Sequence, residues 1–362
     1  MKLDDPNLDS SVPETRDIWL VEALRQQIAF MRNAVPFWRE RLLHAVIDER
    51  DIVTLANLAN VPILTKEELR ATPPAALLPI DARLELKINR WTSGSSGRPT
   101  VNFWSEKDWA ALVASTARMV GRQAPMRAPT VFSAYSQAHV TGPLYHAALR
   151  QLGAIVYDRS HHPEELFSTL DQADMFEFDT VVLPARSTRG KGIGLADLLD
   201  QDPKFLARHH VRWWIGSSGT FDAGVVSRAR DQGVEVISNL YGSSEFGLFA
   251  ISCSESTGDY HVAQGHVLVE VIDQSGKPVR NGEFGRIAVT HLCGMDETGE
   301  GCVHRGTQIL RLAAGDGATF LDDPCTCGLT TPRLRGIRRI GSSESCNTAL
   351  ELKNPAVGRD HQ

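Results

Sequence analysis

The chain has little cysteine, no long apolar run and no basic block, and each shortage excludes a class of protein. Six cysteines among 362 residues are too few for a disulfide-stapled scaffold. No apolar run reaches the ~18 residues of a membrane helix, and the N-terminus MKLDDPNLDSS lacks the features of a secretory signal. A net charge of −6 argues against a dedicated nucleic-acid binder, although residues 333–339 (RLRGIRR) form a local basic cluster. The sequence thus predicts a cytoplasmic protein with reduced cysteines and with neither nucleic-acid nor membrane partners.

The pattern of apolar residues predicts an α/β fold with a smaller β-rich part. Hydrophobic residues make up 42% of the chain, which is enough for a sizeable core. Between residues 130 and 238, short apolar runs alternate with helical stretches, as in a mostly parallel sheet flanked by helices. After residue 250, apolar segments separated by turns predict hairpins. We expect an α/β core with N-terminal helices over residues 1–250, a β-rich subdomain over 251–341 and a tail over 342–362.

A glycine- and hydroxyl-rich stretch lies at residues 92–100 (TSGSSGRPT), between two predicted strands. Glycines let the backbone approach a ligand closely, and exposed N–H groups, hydroxyls and the Arg98 guanidinium suit a polyphosphate. A plain Ser/Gly surface loop is the alternative. The spacing differs from that of the phosphate loop G-x-x-x-x-G-K-[ST] and from that of the nucleophile elbow G-x-S-x-G.

This stretch resembles the TSG[ST]TGKP signature of adenylate-forming enzymes, and of their phenylacetate–coenzyme A ligase branch most of all. Further segments are similar to that branch in the same order, over roughly residues 17–341. They are VPFWRERL at 35–42, VPILTKEEL at 61–69, YGSSEFG at 241–247, GEFGRI at 282–287 and LRLAAGD at 310–316. The resemblance implies the large N-terminal domain of an adenylate-forming enzyme.

The resemblance also implies a nucleotide site. Tyr241 would stack on adenine, Ser244 would bond the α-phosphate and Glu245 would hold Mg²⁺. Asp316 would accept the ribose hydroxyls, and Arg311 would add positive charge. Together with Arg98, Ser244 and Glu245 are the expected catalytic residues. The other expected nucleotide-binding residues are Thr92, Ser93, Gly94, Ser95, Ser96, Gly97, Gly216, Ser217, Ser218, Gly242 and Ser243.

Each of these residues also has a purely structural interpretation. Tyr241 could be a core ring, Glu245 a helix cap and Asp316 an ordinary turn residue. Residues 216–219 (GSSG) stand where family members often have G-[AG]-E-P, and the acidic residue of that motif is absent. The base contacts are therefore expected to be weaker or rearranged.

The acid pocket is predicted around residues 135–142 (YSQAHVTG), where the branch has a glycine- and aromatic-rich wall. His139 would orient a substrate carboxylate or ring, or else be a hydrogen-bonded, partly buried histidine. At least one of Trp213 and Trp214 is expected to belong to the core. The candidate pocket residues are Tyr135, Ser136, His139, Thr141, Gly142 and Trp214.

Four further residues, Cys253, His261, Cys325 and Cys327, predict a metal site. Thiolate and imidazole ligands from two short segments suit a closed tetrahedral zinc site, and four protein ligands leave no open position for chemistry. The Zn²⁺ would therefore be structural, and several members of the resembled branch carry this pattern. The alternatives are four unrelated residues, or ligands drawn from Cys293, Cys302 and His304. A disulfide is disfavoured in a cytosolic chain.

Two departures from the family pattern stand out. Arg98 replaces the usual lysine, and its planar fork places the charge differently. The family's small C-terminal lid domain, which follows a G-R-x-[DK]-[DE] hinge, has no counterpart after Gly341. We therefore expect the lid, its lysine and much of the coenzyme A surface to be absent, and a partner protein to supply them.

The sequence predicts an enzyme that activates a small, aromatic carboxylic acid with ATP and Mg²⁺. The acyl group of the acyl-adenylate would pass to coenzyme A or to another thiol, such as that of a carrier protein. Condensation with an amine or a second substrate molecule is one alternative. A catalytically weak nucleotide-binding or scaffold subunit is another. A homodimer is compatible with the sequence.

Overall fold

The computed structural model describes residues 3–81, 86–91, 100–137, 139–158, 166–187, 193–217, 221–256, 258–294 and 303–340. Its helices are α1 (Pro13–Ala34), α2 (Pro36–His44), α3 (Lys66–Ala71), α4 (Glu106–Gln123), α5 (Thr141–Gln151), α6 (Leu166–Ala173), α7 (Leu195–Gln201), α8 (Phe205–Arg208) and α9 (Ala223–Asp231). Its strands are β1 (Leu64–Thr65), β2 (Leu86–Trp91), β3 (Val101–Ser105), β4 (Thr130–Ser133), β5 (Ile155–Asp158), β6 (Thr180–Val182), β7 (Trp213–Ser217), β8 (Val236–Ser243), β9 (Gly247–Ser252), β10 (Asp259–Val262), β11 (Val267–Ile272), β12 (Phe284–His291), β13 (Leu312–Leu321) and β14 (Arg333–Arg339).

The N-terminal helices begin at prolines. Pro13 and Pro36 stand in the first turns of α1 and α2, where a missing N–H leaves no hydrogen bond unmade. Val35, between the two helices, is extended, as the residue before a proline usually is. The Trp38 indole then donates to the carbonyl oxygen of Gln308 at 2.9 Å, which fastens α2 to the C-terminal half of the chain.

Two capping boxes set where α3 and α4 begin. The Thr65 hydroxyl accepts from the Glu68 N–H at 3.1 Å, and the Glu68 carboxylate accepts from the Thr65 N–H at 2.8 Å. Ser105 and Asp108 make the same reciprocal pair at 3.2 and 2.8 Å. Because each box satisfies N–H groups that a helix start leaves free, Lys66 is held as the first residue of α3.

One mixed sheet runs through the described residues and joins 12 strands. The order is β11-β12-β13-β14-β10-β9-β8-β7-β6-β4-β5, with β1 beside β13. The strands from β5 to β8 pair in parallel, and those from β8 to β11 pair antiparallel. The predicted α/β class is confirmed. The predicted domain boundary near residue 250 falls within β9, and strand pairing continues across it.

The parallel half of the sheet reverses its strand order beside β4. The chain passes from β4 to β5 on one side and returns to β6 on the other. The carboxyl ends of β4 and β6 therefore flank a topological switch point, which is where open α/β sheets bind ligands. The segment predicted to form the acid pocket starts immediately after β4.

Apolar side chains form three clusters around this sheet. One packs α1 and α2 on the antiparallel half, one packs α4 and α5 on a face of the parallel half, and one packs α7, α8 and α9 on the opposite face. Neighbouring residues of a strand point to opposite faces, so Trp213 and Trp214 enter different clusters, and both are fully buried. No helix in the described part of the chain has the length and apolar character to span a bilayer.

Three buried histidines, His266, His291 and His304, lie together in the antiparallel half. The rings of His291 and His304 stack with centroids 4.1 Å apart. Burial lowers the pKa of both His266 and His304 to about 3. Neither ring nitrogen of His266 has a hydrogen-bond partner among the described residues, and the positive charge of nearby Arg118 further disfavours the protonated ring.

These histidines predict a loss of stability in mild acid. The unfolded chain binds protons below about pH 6.5, whereas folded His266 and His304 stay neutral until about pH 3. The free energy of unfolding should fall by about 1.4 kcal/mol for each pH unit and each histidine over that window. Denaturant titrations at several pH values should show a shallower slope for His266→Leu. His44→Gln, at an exposed position, should leave the slope unchanged, and equal slopes in all three proteins would contradict the prediction.

Candidate active site

Tyr241, near the end of β8, is joined to Asp316 in β13. The Tyr241 hydroxyl donates to Asp316 Oδ2 at 2.9 Å, and the Arg339 guanidinium lies 3.2 Å from Oδ1. Burial and the adjacent carboxylate raise the pKa of Tyr241 well above its usual value, so the phenol stays a donor. The predicted adenine and ribose residues are therefore neighbours, and 14% of the Asp316 side chain is exposed.

The turn between β8 and β9 is closed by two glycines. A Cβ on Gly242 would lie 2.0 Å from the Gly247 carbonyl oxygen, so only glycine fits the close approach of the two strands. Gly247 has φ +73°, a conformation that other residues rarely adopt. Ser243, Ser244 and Glu245 are consequently held in a short, defined loop.

Ser244 contacts both the predicted acid pocket and the β2–β3 hairpin. His139 Nε2 lies 3.1 Å from Ser244 Oγ, and His139 Nδ1 lies 2.9 Å from Thr141 Oγ1. The Asn102 amide donates to the Ser244 carbonyl oxygen at 3.4 Å. Residues predicted for the phosphate and for the acid thus lie side by side.

The glycine-rich loop itself, residues 92–99, lies outside the described residues, as does Ser218. The roles of Thr92, Ser93, Gly94, Ser95, Ser96, Gly97 and Arg98 therefore stay predictions. The strands that bear the loop are described, with Trp91 paired to Val101 and Arg90 to Asn102. Because Asn102 also contacts Ser244, the base of the loop lies beside the β8–β9 turn.

Glu245 is buried, with 1% of its side chain exposed. The Lys66 ammonium lies 3.1 Å from Glu245 Oε1, but the contact lacks hydrogen-bond geometry, and Oε1 has no hydrogen-bond partner in the described part of the chain. A buried carboxylate oxygen left in this way is costly unless a further cation joins it. A carboxylate is also the ligand type that Mg²⁺ prefers, so the residue fits the predicted metal role.

Sequence reasoning missed Lys66. The signal was the capping box, because it places Lys66 at the first position of α3, directly after β1. Thr65 pairs with Ala313 of β13, and this pairing carries the start of α3 to the β8–β9 turn. The Lys66 ammonium therefore reaches the Glu245 carboxylate, although the two residues are far apart in the sequence.

Arg311 is not at the nucleotide site, and that prediction is wrong. Its side chain is buried and forms an ion pair with Glu270. Each N–H of the guanidinium has an acceptor, so no donor remains for a phosphate. The acceptors are Glu270 Oε2 at 3.0 Å, Glu270 Oε1 at 3.1 Å, and the carbonyl oxygens of Val61 at 2.8 Å, Ala59 at 3.2 Å and Gly276 at 2.6 Å.

Trp214 is also not a pocket residue. It is fully buried, its indole donates to the Leu183 carbonyl oxygen at 3.0 Å, and its ring stacks on Phe221 with centroids 4.2 Å apart. The residue belongs to the cluster beneath α7 to α9. The sequence could not separate the two tryptophans, because strand direction and sheet face decide which cluster each enters.

Tyr135 supports the pocket wall from behind. Its ring is fully buried, and its hydroxyl accepts from the Ser217 N–H at 2.8 Å and lies 2.8 Å from the Ser217 carbonyl oxygen. This contact ties the chain after β4 to the end of β7, where Gly216 lies. A direct substrate contact by Tyr135 is therefore contradicted. Gly142 is required for the turn, since its Cβ would lie 2.3 Å from the Ser136 carbonyl oxygen.

The four predicted zinc ligands, Cys253, His261, Cys325 and Cys327, come together, and their ligand atoms all lie within 4.8 Å of one another. Cys253 Sγ is 3.6 Å from Cys325 Sγ, and Cys327 Sγ is 3.2 Å from His261 Nε2. His261 Nδ1 lies 3.2 Å from the Thr331 carbonyl oxygen. That acceptor favours the tautomer that leaves Nε2 free for a metal. The residues present fit a closed four-ligand zinc site.

The basic cluster at residues 333–339 is largely neutralised within the fold. Arg333 and Arg335 both pair with Asp259, at 3.0 and 2.6 Å, and Arg339 pairs with Asp316. The arginines that suggested a polyanion-binding surface in the sequence thus pair with acidic residues of the same chain.

Comparison with known proteins was made by sequence and by structure. No family model matches the chain. It is 24% identical over 347 residues to the phenylacetate–coenzyme A ligase of Thermus thermophilus, covering 91% of this chain and 71% of that one. It is 26% identical over 299 residues to the Pseudomonas putida enzyme of the same name, covering 80% and 65%. The Escherichia coli enzyme is 25% identical over 304 residues, again with 80% and 65% covered. The chain thus spans about two thirds of the length of these relatives.

The fold is similar to that of solved adenylate-bound ligases. A 2-hydroxyisobutyryl-CoA ligase in complex with 2-HIB-AMP and CoA superposes with a TM-score of 0.77 at 19% identity, over 91% of this chain and 76% of that one. The same ligase in its postadenylation state gives 0.79 at 19% identity, over 92% and 70%. The chain therefore has the fold of these adenylate-bound ligases. Its sequence is similar to the phenylacetate–coenzyme A ligases, as the order of the motifs predicted.

The Tyr241–Asp316 contact predicts how nucleotide binding responds to one lost hydroxyl. Tyr241→Phe keeps the ring but frees the Asp316 carboxylate, so we expect AMP and ATP to bind about 3- to 10-fold more weakly, the effect of one lost hydrogen bond. Calorimetric titration would measure the change. Tyr157→Phe is the control. Tyr157 lies in edge strand β5, and its ring stacks on that of Phe176, so this variant should bind AMP and ATP as the parent does. Equal affinity of Tyr241→Phe and the parent would refute the role given to this contact.

Proposed function

We propose that the chain uses ATP to convert a carboxylic acid into an acyl-adenylate and passes the acyl group to coenzyme A. One observation carries this proposal. The β8–β9 turn places Ser244 against the acid-pocket residue His139, while Tyr241 at its base holds Asp316. The relatives named above bear the name of coenzyme A ligases, which supports the choice of acceptor.

In the first step a carboxylate oxygen of the acid attacks the α-phosphorus of ATP, and pyrophosphate leaves with the electron pair of the broken bond. The attacking acid is already ionised, so the protein needs to position groups and to offset charge. Asp316 would hold the ribose, Tyr241 the base and Ser244 the α-phosphate. The Lys66 ammonium beside Glu245 adds positive charge at the same turn.

Mg²⁺ would be held by Glu245, whose buried Oε1 has no hydrogen-bond partner among the described residues. When bound, the ion offsets negative charge on the phosphates. When no metal ion is bound, the Glu245 carboxylate would repel the phosphates of an incoming nucleotide. Lys66 reduces this repulsion because it partly neutralises the charge of Glu245.

In the second step the thiol of coenzyme A attacks the acyl carbonyl carbon, AMP leaves, and the thiol proton passes to solvent. A carrier-protein thiol or an amine would enter by the same attack, and product analysis separates them. That a partner supplies a lid domain, and that the chain forms a homodimer, both stay predictions. The same holds for an aromatic side chain on the acid.

We also propose that Cys253, His261, Cys325 and Cys327 bind one structural Zn²⁺. The set links β9 and β10 to the turn before β14, which are distant in sequence and adjacent in the sheet. The hydrogen-bond acceptor behind His261 and the close thiol pairs support a closed site of this kind.

The proposed activity predicts ATP–pyrophosphate exchange that depends on an acid. A panel should include phenylacetate, benzoates and 2-hydroxyisobutyrate, with exchange of labelled pyrophosphate as the readout. Glu245→Gln should lower exchange at least about 100-fold, because it removes the metal-holding charge. Glu67→Gln, an exposed change in α3 next to Lys66, is the matched control and should exchange as the parent does.

Two outcomes would count against the proposal. Retained ATP binding with no exchange for any acid would favour the scaffold alternative. Full exchange by Glu245→Gln would remove Glu245 from the catalytic residues. Mass spectrometry of products formed with coenzyme A or with amines then decides the acceptor.

The zinc proposal predicts about one zinc per chain after purification without chelator, measured by plasma mass spectrometry. Cys327→Ser should lose the metal and melt at a lower temperature, because binding energy of a structural zinc is folding energy. Cys346→Ser keeps all four proposed ligands and should retain both zinc and melting temperature. Metal-free protein that melts as the loaded protein does would overturn the proposal.

A further inference from the structure

A second group of polar side chains lies at the carboxyl ends of β4 and β5. We call Ser133, Gln137, His146 and Asp158 the polar cluster. His146 Nε2 lies 3.1 Å from Ser133 Oγ and 3.6 Å from Asp158 Oδ1. The Gln137 amide nitrogen lies 3.3 Å from His146 Nδ1. Ser133 and Asp158 face each other across the two parallel strands, so the sheet itself brings these groups together.

The polar cluster interrupts an apolar interface. Elsewhere α5 packs on the sheet through Leu144, Tyr145, Ala148 and Leu149, whereas His146 is buried in the same helix. Burial lowers the pKa of His146, although Asp158 acts in the opposite direction, so the ring is neutral near pH 7. Polar groups placed in such an interface destabilise it unless they are hydrogen-bonded. Ser133 is fully buried, which excludes it as a nucleophile.

Among the described residues, part of the cluster's hydrogen-bonding capacity has no partner. In the part of the chain that the structure describes, His146 is the one side chain that contacts the carboxylate of Asp158 or the amide of Gln137. The Asp158 side chain is 34% exposed, and Gln137 is half-buried. Both residues can therefore offer polar atoms to a molecule at the carboxyl ends of β4 and β5.

The cluster adjoins the reacting end of the candidate site. Gln137 is two residues from His139, which contacts Ser244. The tight approach of Gly142 to Ser136 folds this short segment over the start of α5. Within this short segment, His139 therefore contacts the predicted phosphate-binding residue Ser244, and Gln137 contacts His146 of the polar cluster.

We propose that the polar cluster recognises a hydroxyl or amino substituent on the acid, so that the substrate is a hydroxy- or amino-substituted carboxylic acid. The inference rests on the proposed function. Asp158 accepts a hydrogen bond from the substituent. The Gln137 amide, which is held by His146, makes a second hydrogen bond to the same substituent. An acid without the substituent leaves both groups unpaired in the pocket, and sites built in this way discriminate strongly against it.

The test uses acyl-sulfamoyladenosines, which mimic the acyl-adenylate and bind without turnover. Matched pairs would be the benzoyl compound against its hydroxy- and amino-substituted forms, and the isobutyryl compound against the 2-hydroxyisobutyryl form. We expect at least one substituted form to bind at least about 10-fold more tightly than its parent. Gln137→Leu and Asp158→Ala should bring that ratio close to one, because they weaken binding of the substituted form and remove the polar groups that the unsubstituted analogue leaves unpaired.

Gln151→Leu is the matched control, because Gln151 is exposed at the end of the same helix, and it should keep the wild-type ratio. If the unsubstituted analogue binds as tightly as every substituted one, or if Gln137→Leu and Asp158→Ala weaken all analogues alike, the inference fails while acid-dependent exchange can still stand. If no analogue binds more tightly than AMP and no acid supports exchange, the proposed function fails and the inference falls with it.

Discussion

The arrangement of the site depends on the tight turn between β8 and β9. Strand β8 is the last parallel strand of the sheet and the first antiparallel one, so this turn lies where the two halves of the molecule meet. The contact between Gly242 and Gly247 keeps the loop short, and Ser244 and Glu245 have no freedom to move away from their neighbours. The acid pocket, the β2–β3 hairpin and β13 all reach this loop from different parts of the chain.

Two buried charged residues, Arg311 and Glu245, differ in how completely their polar atoms are hydrogen-bonded. Arg311 has an acceptor for every guanidinium N–H, so it stabilises the fold and has nothing left for a ligand. Glu245 is equally buried, yet one of its oxygens lacks a hydrogen-bond partner among the described residues. Its Oε1 instead lies 3.1 Å from the Lys66 ammonium, so the charge of Glu245 is offset by one cation rather than enclosed by a full set of donors.

The comparisons with known proteins concern the fold as a whole. A solved ligase shares the fold across most of this chain, and sequence similarity to the phenylacetate–coenzyme A ligases extends over a comparable share of it. Two aromatic residues expected to line the acid pocket, Tyr135 and Trp214, are buried within the fold instead.

Sequence by itself was enough for the features that depend on near neighbours. The capping boxes of α3 and α4, the strand–helix alternation, the order of the family motifs and the grouping of Cys253, His261, Cys325 and Cys327 could all be predicted, since each involves short spacings or a recognisable pattern. The tertiary structure was needed to show that Lys66 contacts Glu245 and that Arg311 pairs with Glu270. It was also needed to show that Trp214 and Tyr135 are buried. Those outcomes depend on which strands pair and which face of the sheet each side chain enters, and contacts between residues far apart in the chain leave no local signal to read.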